Sequence, residues 1–425
     1  MNRVFYAIVV IAFAVAGIRE IGWQPPLDDP EAMSPMQAVT DGLFTSVKAS
    51  VMDVVLPLVG AMAFFLGVMK VAERAGATQV LARMLRPLMS WLFPEVPPNH
   101  PAVAPMIMNF AANMLGLGNA ATPFGIKAIQ ELDRLNGEKG TATNAMALLL
   151  AINTASVTLL PSGVMGLRAT LGSTQPAGIM PTTLAATIVG TTASIAMAKL
   201  FQRFTPAPPS IPDPRIEGEV DRGWPLWASL LVLAGVVGIV PVTLVYGNEA
   251  SPWMIPIIVL GFLTYGVARG VPVYEALVEG GKEGFEVAVR IIPYVVAILG
   301  VIGMLRGSGA IDLFARAVGP YTDPLGLPAE AIPMALLRPL SGNGAYGVMV
   351  ATMKEHGPDS YIGYLVSTLQ GSSETTFYVI AVYFGAVGVQ RMRHTMAVAL
   401  LADVVAVAAS VAACLLYFRW NDLPG

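Results

Sequence analysis

Long apolar stretches, separated by short polar or proline-rich segments, dominate this chain. A helix needs roughly 20 apolar residues to cross the ~30 Å hydrocarbon core of a bilayer, and nine stretches approach that length. We predict membrane-spanning helices at residues 4–18, 51–71, 144–167, 181–201, 225–245, 252–267, 288–305, 361–387 and 397–418. The pattern therefore predicts an all-α polytopic membrane protein.

Two further apolar stretches, 102–121 and 331–350, are interrupted by a Gly-Asn signal. The first contains Gly118-Asn119-Ala120 and the second contains Gly342-Asn343-Gly344. Glycine and asparagine accept the left-handed backbone of a sharp turn. Non-helical backbone is tolerated at membrane depth only where protein or a water-filled cavity surrounds it. We therefore predict broken or re-entrant helices at both places.

The same apolar unit occurs twice. Leu66-Gly67-Val68 recurs in the second half as Leu299-Gly300-Val301, and Asn153-Thr154-Ala155-Ser156 corresponds to Gln370-Gly371-Ser372-Ser373. Duplicated hydrophobic units with glycine interruptions are typical of secondary transporters. We divide the chain into a first repeat at 1–204, a linker with an extra transmembrane helix at 205–251, and a second repeat at 252–425.

Charge placement predicts the orientation of the two repeats. Loops that face the cytoplasm carry an excess of lysine and arginine. The cations expected on that side are Lys70, Arg74, Arg83, Arg86, Lys127, Arg134, Lys139, Arg391 and Arg393. The first-half counterpart of the Arg391 loop holds only Arg168, so we place it outside. The extra helix at 225–245 then makes the repeats inverted; if the broken stretches cross fully, the repeats are parallel instead.

Composition supports a membrane protein and excludes several kinds of site. The chain has 425 residues, 55% hydrophobic and 12% charged, with a mean hydropathy of +0.65, whereas soluble domains carry about 25% charged residues. A net charge of −3 gives no sign of nucleic-acid binding. One cysteine and three scattered histidines indicate neither a disulfide nor a metal site, and we expect no cofactor. The apolar N-terminus could pass for a signal peptide; we favour a retained first helix.

The Gly-Asn breaks supply the first candidate site residues. We expect Thr122 to cap a new helix with Pro123 at its first position. A helix that begins at membrane depth directs free N–H groups and a positive dipole end into the cavity it faces. The candidates are Asn119, Thr122, Ser341 and Asn343. The alternative is that the glycines only permit close helix packing.

Two polar clusters inside apolar spans supply the other candidates. They comprise Asn153, Thr154 and Ser156 in the first half, and Gln370, Ser372, Ser373, Glu374 and Thr375 in the second. Such groups can merely form hydrogen bonds between helices, each of which stabilises the packing by about 0.6 kcal/mol. A charge at the bilayer centre, however, costs at least ~2.5–3.5 kcal/mol. Glu374 is therefore a proton carrier or an acceptor for a substrate, or alternatively pairs with Arg338 or Lys127.

Three other ionisable residues lie in apolar surroundings. Arg338 precedes the second Gly-Asn break, where it either holds an anionic group or caps carbonyls freed by Pro339. Asp53 and Asp403 are read as structural partners of a Thr, Asn or Arg. Val157 occupies the place in the first half that matches Glu374. We therefore expect a pathway with different electrostatics in its two halves.

These motifs carry a family resemblance. The first half, to about residue 204, resembles the spore maturation protein A family on Gly116-Leu117-Gly118-Asn119-Ala120-Ala121-Thr122-Pro123 and Ile152-Asn153-Thr154. The second half, from about residue 252, resembles the spore maturation protein B family on Arg338-Pro339-Leu340-Ser341-Gly342 and Gln370-Gly371-Ser372-Ser373-Glu374-Thr375-Thr376. The chain looks like a fusion of the two. Each half also resembles the nucleoside recognition or gate domain, a class found in ferrous iron transporter B. The resemblance implies transport without fixing a substrate.

Together these features predict a secondary-transport type of protein in the bacterial inner membrane. It would carry a small polar or amphiphilic solute, with a nucleoside-like solute suggested by the resemblance, through a pathway at the repeat interface. Its partners are the lipid bilayer and the solute, while a coupling proton or cation and a homo-oligomer are compatible with the sequence. The alternative is a non-transporting scaffold or a flippase-like lipid-handling protein in envelope or spore maturation. We do not expect an enzyme, because no nucleophile–base pairing, metal-ligand spacing or phosphate loop is present.

Overall fold

The described residues of the first half fold into nine α-helices. The computed structural model describes residues 2–25, 32–116, 118–211 and 224–421, and these residues form helices and no strands. The helices of the first half are α1 (Asn2–Glu20), α2 (Pro35–Ala49), α3 (Leu56–Arg74), α4 (Ala77–Leu92), α5 (Val103–Met114), α6 (Gly118–Arg134), α7 (Asn144–Thr154), α8 (Ser162–Thr170) and α9 (Ile179–Phe201). One π-helical segment, Ser50–Val55, joins α2 to α3 without a loop. The all-α prediction is confirmed.

The described residues from 226 onward form eight further α-helices. They are α10 (Leu226–Ala268), α11 (Val273–Ser308), α12 (Ala310–Thr322), α13 (Ile332–Leu337), α14 (Gly342–His356), α15 (Tyr361–Ser372), α16 (Thr376–Gly385) and α17 (Thr395–Trp420). The two spans predicted at 225–245 and 252–267 lie within one helix, because α10 is helical throughout its 43 residues.

Helix α10 nevertheless reverses its direction. A straight helix of this length would separate its ends by about 65 Å. The backbone N–H of Trp224, just before α10, donates to the Arg83 carbonyl, and Arg269, just after α10, donates from Nε to the Ala75 carbonyl. Ala75 and Arg83 lie at most about 30 Å apart even in an extended chain. The helix therefore bends back, and its two arms correspond to the two predicted spans.

Loop contacts define two ends of the molecule. At the first, which we call the basic end, the loops 135–143, 202–211 and 386–394 meet: the N–H of Ala142 donates to the Arg391 carbonyl at 2.9 Å, and the N–H of Ile211 donates to the Leu135 carbonyl at 3.0 Å. At the second, the opposite end, loop 171–178 meets loop 357–360 through the N–H of Thr174 and the Asp359 carboxylate, 2.7 Å apart. The cationic loops predicted to share one side, 135–143 and 386–394, thus lie together.

Equivalent segments of the two halves run in opposite directions between these ends. The α7–α8 segment leads from the basic end to the opposite end, whereas α15–α16 leads from the opposite end to the basic end. Helix α9 ends near the basic end, where Thr205 Oγ1 lies 2.8 Å from His394 Nδ1 at the start of α17. Helix α17 ends at the opposite end, where Tyr417 stacks on Tyr364. The predicted inverted repeats are confirmed, and the parallel alternative is excluded.

The two Gly-Asn stretches form re-entrant hairpins. Helices α5 and α6 enter from and return to the basic end, since Lys199 donates to the Leu92 carbonyl before α5 and Leu135 follows α6. Helices α13 and α14 do the same from the opposite end, where Tyr361 donates to the Gly326 carbonyl and Arg168 donates to the Pro358 carbonyl. Each hairpin turns back inside the molecule, so neither crosses it.

A pair of long antiparallel helices frames the hairpins. The continuous run of α2, the π-helical segment and α3 packs along α11. Their backbones touch, because a Cβ added to Gly42 would overlap the Gly303 carbonyl and one added to Gly280 would lie 2.5 Å from the Leu66 carbonyl oxygen. The ends are capped in matching fashion: Arg19 donates to the Ser308 carbonyl at 2.7 Å, as Arg269 does to the Ala75 carbonyl. The frame is therefore also two-fold symmetric.

Within the part of the chain that the structure describes, fewer uninterrupted spans are found than the hydropathy pattern predicts. Among the described residues, Pro176–Phe201 and Thr395–Trp420 are long and apolar enough to cross a bilayer alone, and the bent pair Val295–Ser308 and Ala310–Leu325 adds a third candidate. The predicted single helices at 144–167 and 361–387 are wrong. Each consists of two short helices with an unwound break between them.

Candidate functional site

The break in the first half is supported by hydroxyl groups of α9. Helix α7 ends at Thr154 and α8 begins at Ser162, so residues 155–161 make no helical ladder. The hydroxyl of Ser194 donates to the Ala151 carbonyl at 2.6 Å, and Thr187 Oγ1 accepts from the N–H of Thr158 at 3.3 Å. Unwound backbone at membrane depth requires such replacement partners. These two hydroxyl groups of α9 thus explain why a break is tolerated here.

The break in the second half is shorter and is supported by α17. Helix α15 ends at Ser372 and α16 begins at Thr376. Ser410 of α17 donates to the Ser372 hydroxyl at 3.1 Å, and the Thr376 hydroxyl donates to the Asp403 carboxylate at 2.7 Å. The interpretation of Asp403 as the partner of a threonine is confirmed. The side chain of Asp53, read in the same way, lies outside the described residues.

Each break also bonds the tip of its own re-entrant hairpin. The N–H of Leu159 donates to the Met114 carbonyl at 2.8 Å, and the N–H of Phe377 donates to the Pro339 carbonyl at 3.1 Å. The two breaks touch one another where the N–H of Glu374 donates to the Thr154 carbonyl at 2.9 Å. Four unwound or turning segments, two from each half, therefore converge at one place.

A neutral cluster lies on the first-half side of this place. We call Asn109, Asn113, Asn153 and Tyr383 the amide cluster; all four are buried. Asn153 Oδ1 accepts from Asn113 Nδ2 at 3.0 Å and from the Tyr383 hydroxyl at 3.4 Å, and Asn109 Nδ2 donates to that hydroxyl at 3.1 Å. The hydroxyls of Thr154 and Ser156 instead bond carbonyls of α7. The cluster is a hydrogen-bonded network without charge.

A charged cluster lies on the second-half side. We call Arg338, Ser373, Glu374 and Thr375 the arginine cluster. Arg338 donates to the Ser373 carbonyl and to Thr375 Oγ1, the latter at 3.1 Å, and its Nη2 lies 3.9 Å from the Glu374 carboxylate. The Arg338 side chain is 7% exposed, whereas that of Glu374 is 48% exposed. Arg338 thus both caps a freed carbonyl and pairs loosely with an acid.

The alternative pairing of Glu374 with Lys127 is not seen. Lys127 Nζ lies 2.8 Å from Glu131 Oε1, one turn along the same helix. The remaining ion pair, with Arg338, is long, because the guanidinium is already bonded to the backbone of the break. One carboxylate with substantial exposure therefore sits beside a buried guanidinium.

The predicted helix start in the first Gly-Asn motif is wrong. Helix α6 begins at Gly118, so Thr122 and Pro123 lie inside it and Thr122 is not its cap. Gly116, with a φ of 74°, makes the left-handed turn two residues earlier, which leaves the helix free to resume at once. The side chain of Asn119 lies outside the described residues.

In the second motif the cap is Ser341, whose hydroxyl accepts from the N–H of Gly344 at 3.0 Å. Asn343 lies in the first turn of α14 and is half-buried. Gln370 lies in the last turn of α15, and its buried Oε1 has no hydrogen-bond partner within the described residues. The structure therefore joins Arg338, Ser373, Glu374 and Thr375 in one cluster, which meets Thr154 through the Glu374 N–H, while Asn153 lies in the neighbouring amide cluster.

Three members of the amide cluster were not among the site residues predicted from the sequence. Asn109 and Asn113 are one helical turn apart in the apolar stretch 102–121, and that spacing was an available signal because i and i+4 share a helix face. No sequence signal marked Tyr383 as a site residue, because aromatic residues are common in apolar spans. Its position is fixed by Gly125, where an added Cβ would overlap the Tyr383 ring and hydroxyl.

Comparison with known proteins matches this arrangement to a family. The family model described as Gate: Nucleoside recognition matches residues 55–171 and 288–390, one segment in each half. The chain belongs to the Gate family. Both matched segments include a re-entrant hairpin and a broken span, and together they contain the whole of the amide and arginine clusters. The match is to a nucleoside recognition domain.

Two relatives each correspond to one half of this Gate protein. Spore maturation protein B of Bacillus subtilis (strain 168) is 49% identical over 171 residues, which are 40% of this chain and 96% of the relative. Spore maturation protein A of the same organism is 37% identical over 166 residues, 39% of this chain and 84% of the relative. The predicted fusion of two such proteins is confirmed.

Solved structures of CNTnw align over the whole chain. In an inward-facing substrate-bound state, CNTnw superimposes with a TM-score of 0.45 at 13% identity, covering 100% of this Gate protein and 99% of the solved chain. A substituted form of CNTnw in an outward-facing state gives a TM-score of 0.43 at the same identity.

Proposed function

We propose that this Gate protein is a membrane transporter of a small polar or amphiphilic solute of nucleoside-like size and polarity. Membership of a nucleoside recognition family and a polytopic all-helical fold support transport as the general activity. The observation that carries the proposal is the contact between the two breaks, where Glu374 bonds the Thr154 carbonyl beside a half-exposed carboxylate. Inverted repeats commonly place their solute site at such a junction of discontinuous helices.

The chemistry of the junction fits a solute with two kinds of polar group. The amide cluster offers carbonyl oxygens and N–H groups without charge, as recognition of a planar amide-containing ring requires. The arginine cluster offers the carboxylate of Glu374, which accepts hydrogen bonds from hydroxyl groups. Gln370 adds a buried acceptor oxygen that lacks a partner among the described residues, and an orphan polar atom costs stability unless a ligand satisfies it.

Uptake by proteoliposomes tests this proposal. The purified protein would be reconstituted and assayed with radiolabelled purine and pyrimidine nucleosides, free bases and amino acids at several external pH values. We expect saturable uptake of at least one nucleoside and loss of its pH dependence in Glu374→Gln. The matched control is Glu355→Gln, which removes a similarly exposed carboxylate from the Arg306 pair at the opposite end. Equal uptake by Glu374→Gln and the unsubstituted protein would remove Glu374 from the mechanism.

A lipid-handling role is the competing outcome. If no solute is taken up and fluorescent phospholipids instead exchange between leaflets, the flippase-like alternative replaces transport. A protein that does neither while binding envelope proteins would favour the scaffold. These three measurements distinguish a solute transporter from a flippase and from a scaffold.

We further propose that the basic end faces the cytoplasm, in agreement with the positive-inside rule. The only cysteine, Cys414, is buried, so introduced cysteines can be labelled selectively. In right-side-out vesicles, an impermeant maleimide should label Thr174→Cys at the opposite end but not Glu138→Cys at the basic end. Labelling of Glu138→Cys alone would reverse the orientation.

A further inference from the structure

The two halves meet at the opposite end through a fully buried arginine. Arg168, at the end of α8 in the first half, is 0% exposed. Its guanidinium donates to the Pro358 carbonyl at 2.5 Å, to Asp359 Oδ1 at 3.0 Å and to Ser367 Oγ at 3.3 Å. It also lies over the Tyr364 ring, 4.2 Å from the ring centre. Four residues of the second half thus form a pocket that one first-half side chain fills.

The carboxylate of this pocket is itself held by the first half. Ser173 and Thr174 both donate hydrogen bonds to Asp359. Burial alone would raise the pKa of Asp359, but these hydrogen bonds and the Arg168 charge outweigh burial and lower it. Asp359 therefore stays ionised opposite the guanidinium at neutral pH. A buried guanidinium with a planar carboxylate partner and an aromatic platform is the usual chemistry of an anchoring residue in an interface.

Contacts between the halves at the basic end are of a different kind. Arg391 pairs with Glu138 at 3.0 Å, but these side chains are 76% and 47% exposed. Exposed pairs contribute little to association because solvent screens them. Arg393 donates to the Ala142 carbonyl and to Asn144 Oδ1. Of the two loop ion pairs between the halves, Arg168–Asp359 at the opposite end is therefore the one that buries its guanidinium.

Other crossing contacts are deep and make each half incomplete alone. The hydroxyls of Thr182 and Thr368 lie 2.8 Å apart, and the amide cluster takes Tyr383 from the second half. The break contact between Glu374 and Thr154 crosses as well. A first half on its own would expose a buried charge and lose members of both clusters.

We propose that the first half carries a docking surface for a second-half chain, with Arg168 as its anchor, and that the halves hold together without the peptide link between them. The partner that fits this surface is a spore maturation protein B-like chain, of which the second half is a covalently attached copy. The relatives support this, since each half corresponds to most or nearly all of a separate protein. The site at the breaks is consequently shared, and neither half holds it alone.

Cleavage of the full chain tests the proposal independently of any transport. A specific protease site is inserted in the linker at 212–223, between Ile211 and Trp224, whose N–H groups bond the first half. The purified protein is cut in mild detergent with micelles in large excess, and the fragments are followed by size-exclusion chromatography. We expect the cut fragments to co-elute. In Arg168→Met we expect them to separate at least tenfold more at equal concentration, whereas the control Arg391→Met should behave like the unsubstituted protein.

Two outcomes would overturn the proposal. Separation of the fragments of the unsubstituted protein after cleavage would show that the link is required. Equal retention in Arg168→Met and Arg391→Met would show that Arg168 is not the anchor. If uncut Arg168→Met aggregates, Asp359→Asn takes its place, since it keeps the shape and removes the charge; fragments that stay together in that variant would likewise contradict the anchor.

Discussion

The two helix breaks share a backbone plan and differ in chemistry. In each, one N–H donates to the tip of the break's own re-entrant hairpin: Leu159, inside the first unwound segment, donates to Met114, and Phe377, just after the second, donates to Pro339. The side chains around the first break form an uncharged network, whereas those around the second include Arg338 and Glu374. The first break shows that neutral hydroxyl groups can support an unwound helix in this fold, whereas at the second break the charged Arg338 also caps the Ser373 carbonyl.

In the proposed transporter, this difference would place charge-based selectivity for the solute at the second break. A duplicated scaffold that needed only stability would have little reason to keep a guanidinium and a carboxylate in one copy, since burying charge is costly. Met114 and Val157 lie at the places in the first half that match the arginine cluster. Making the two halves alike at these places is the most direct way to test the comparison.

The largest expected effect comes from giving the first break an acid. Val157→Glu introduces a carboxylate beside the uncharged side of the junction, and a charge at membrane depth costs ~2.5–3.5 kcal/mol. We expect the free energy of unfolding in detergent to fall by that amount, measured by thermal or denaturant unfolding. Val157→Gln, of the same shape without the charge, is the control. If the two variants are equally stable, the first break is as well hydrated as the second and the contrast fails.

Removing the base from the second break comes next. Arg338→Met makes this position resemble Met114 and deletes the hydrogen bonds to the Ser373 carbonyl and Thr375. Hydrogen bonds to a charged group are worth about 1.5–3 kcal/mol, so we expect a loss of stability of that size together with loss of uptake. The control Arg306→Met breaks an exposed pair with Glu355 and should cost less than about 1 kcal/mol.

A steric change tests the neutral side. In Gly125→Ala the new methyl group would overlap the Tyr383 ring, and overpacking of this kind costs about 1–3 kcal/mol. We expect displacement of Tyr383 and reduced affinity for a bound solute. Gly163→Ala in α8 meets nothing within 4 Å, so it should instead be neutral or slightly stabilising, as alanine favours helices. Equal affinity in both variants would separate Tyr383 from the site.

The smallest expected effect is the contribution of His394 to the pH dependence of stability. Burial and the neighbouring Arg393 charge lower the pKa of His394, in the loop before α17, to about 4. Between its ordinary pKa near 6.5 and about 4, the unfolded chain binds a proton that the folded chain does not. Stability is therefore full above pH 6.5 and declines as the pH falls. We expect the melting temperature of His394→Gln to vary less between pH 7 and 5 than that of the unsubstituted protein. An identical decline in both proteins would show that another group causes the loss of stability at low pH.

Much of the architecture follows from the sequence because bilayer physics acts on local patterns. The Gly-Asn motifs mark the hairpin tips, and the distribution of Arg74, Lys139 and Arg391 gives the relative direction of the halves. Those signals depend on backbone freedom and charge, which a single stretch of chain displays. The inverted repeats and the re-entrant hairpins could therefore be predicted.

The unwound spans could not be predicted from the same patterns. Residues 144–167 are apolar enough for one helix, and their break depends on Thr187 and Ser194 of α9 replacing the lost backbone bonds. Those partners become visible only in three dimensions. Tyr383 and the pocket around Arg168 are equally tertiary, because each joins residues from opposite halves of the chain.

The reversal within α10 sets a rule of parity for how such a protein can arise by gene fusion. The first half finishes at the basic end, whereas the arm of α10 that opens the second half starts at the opposite end. Joining the two halves in this order therefore demands an odd number of added membrane passages, and the first arm of α10 supplies a single one.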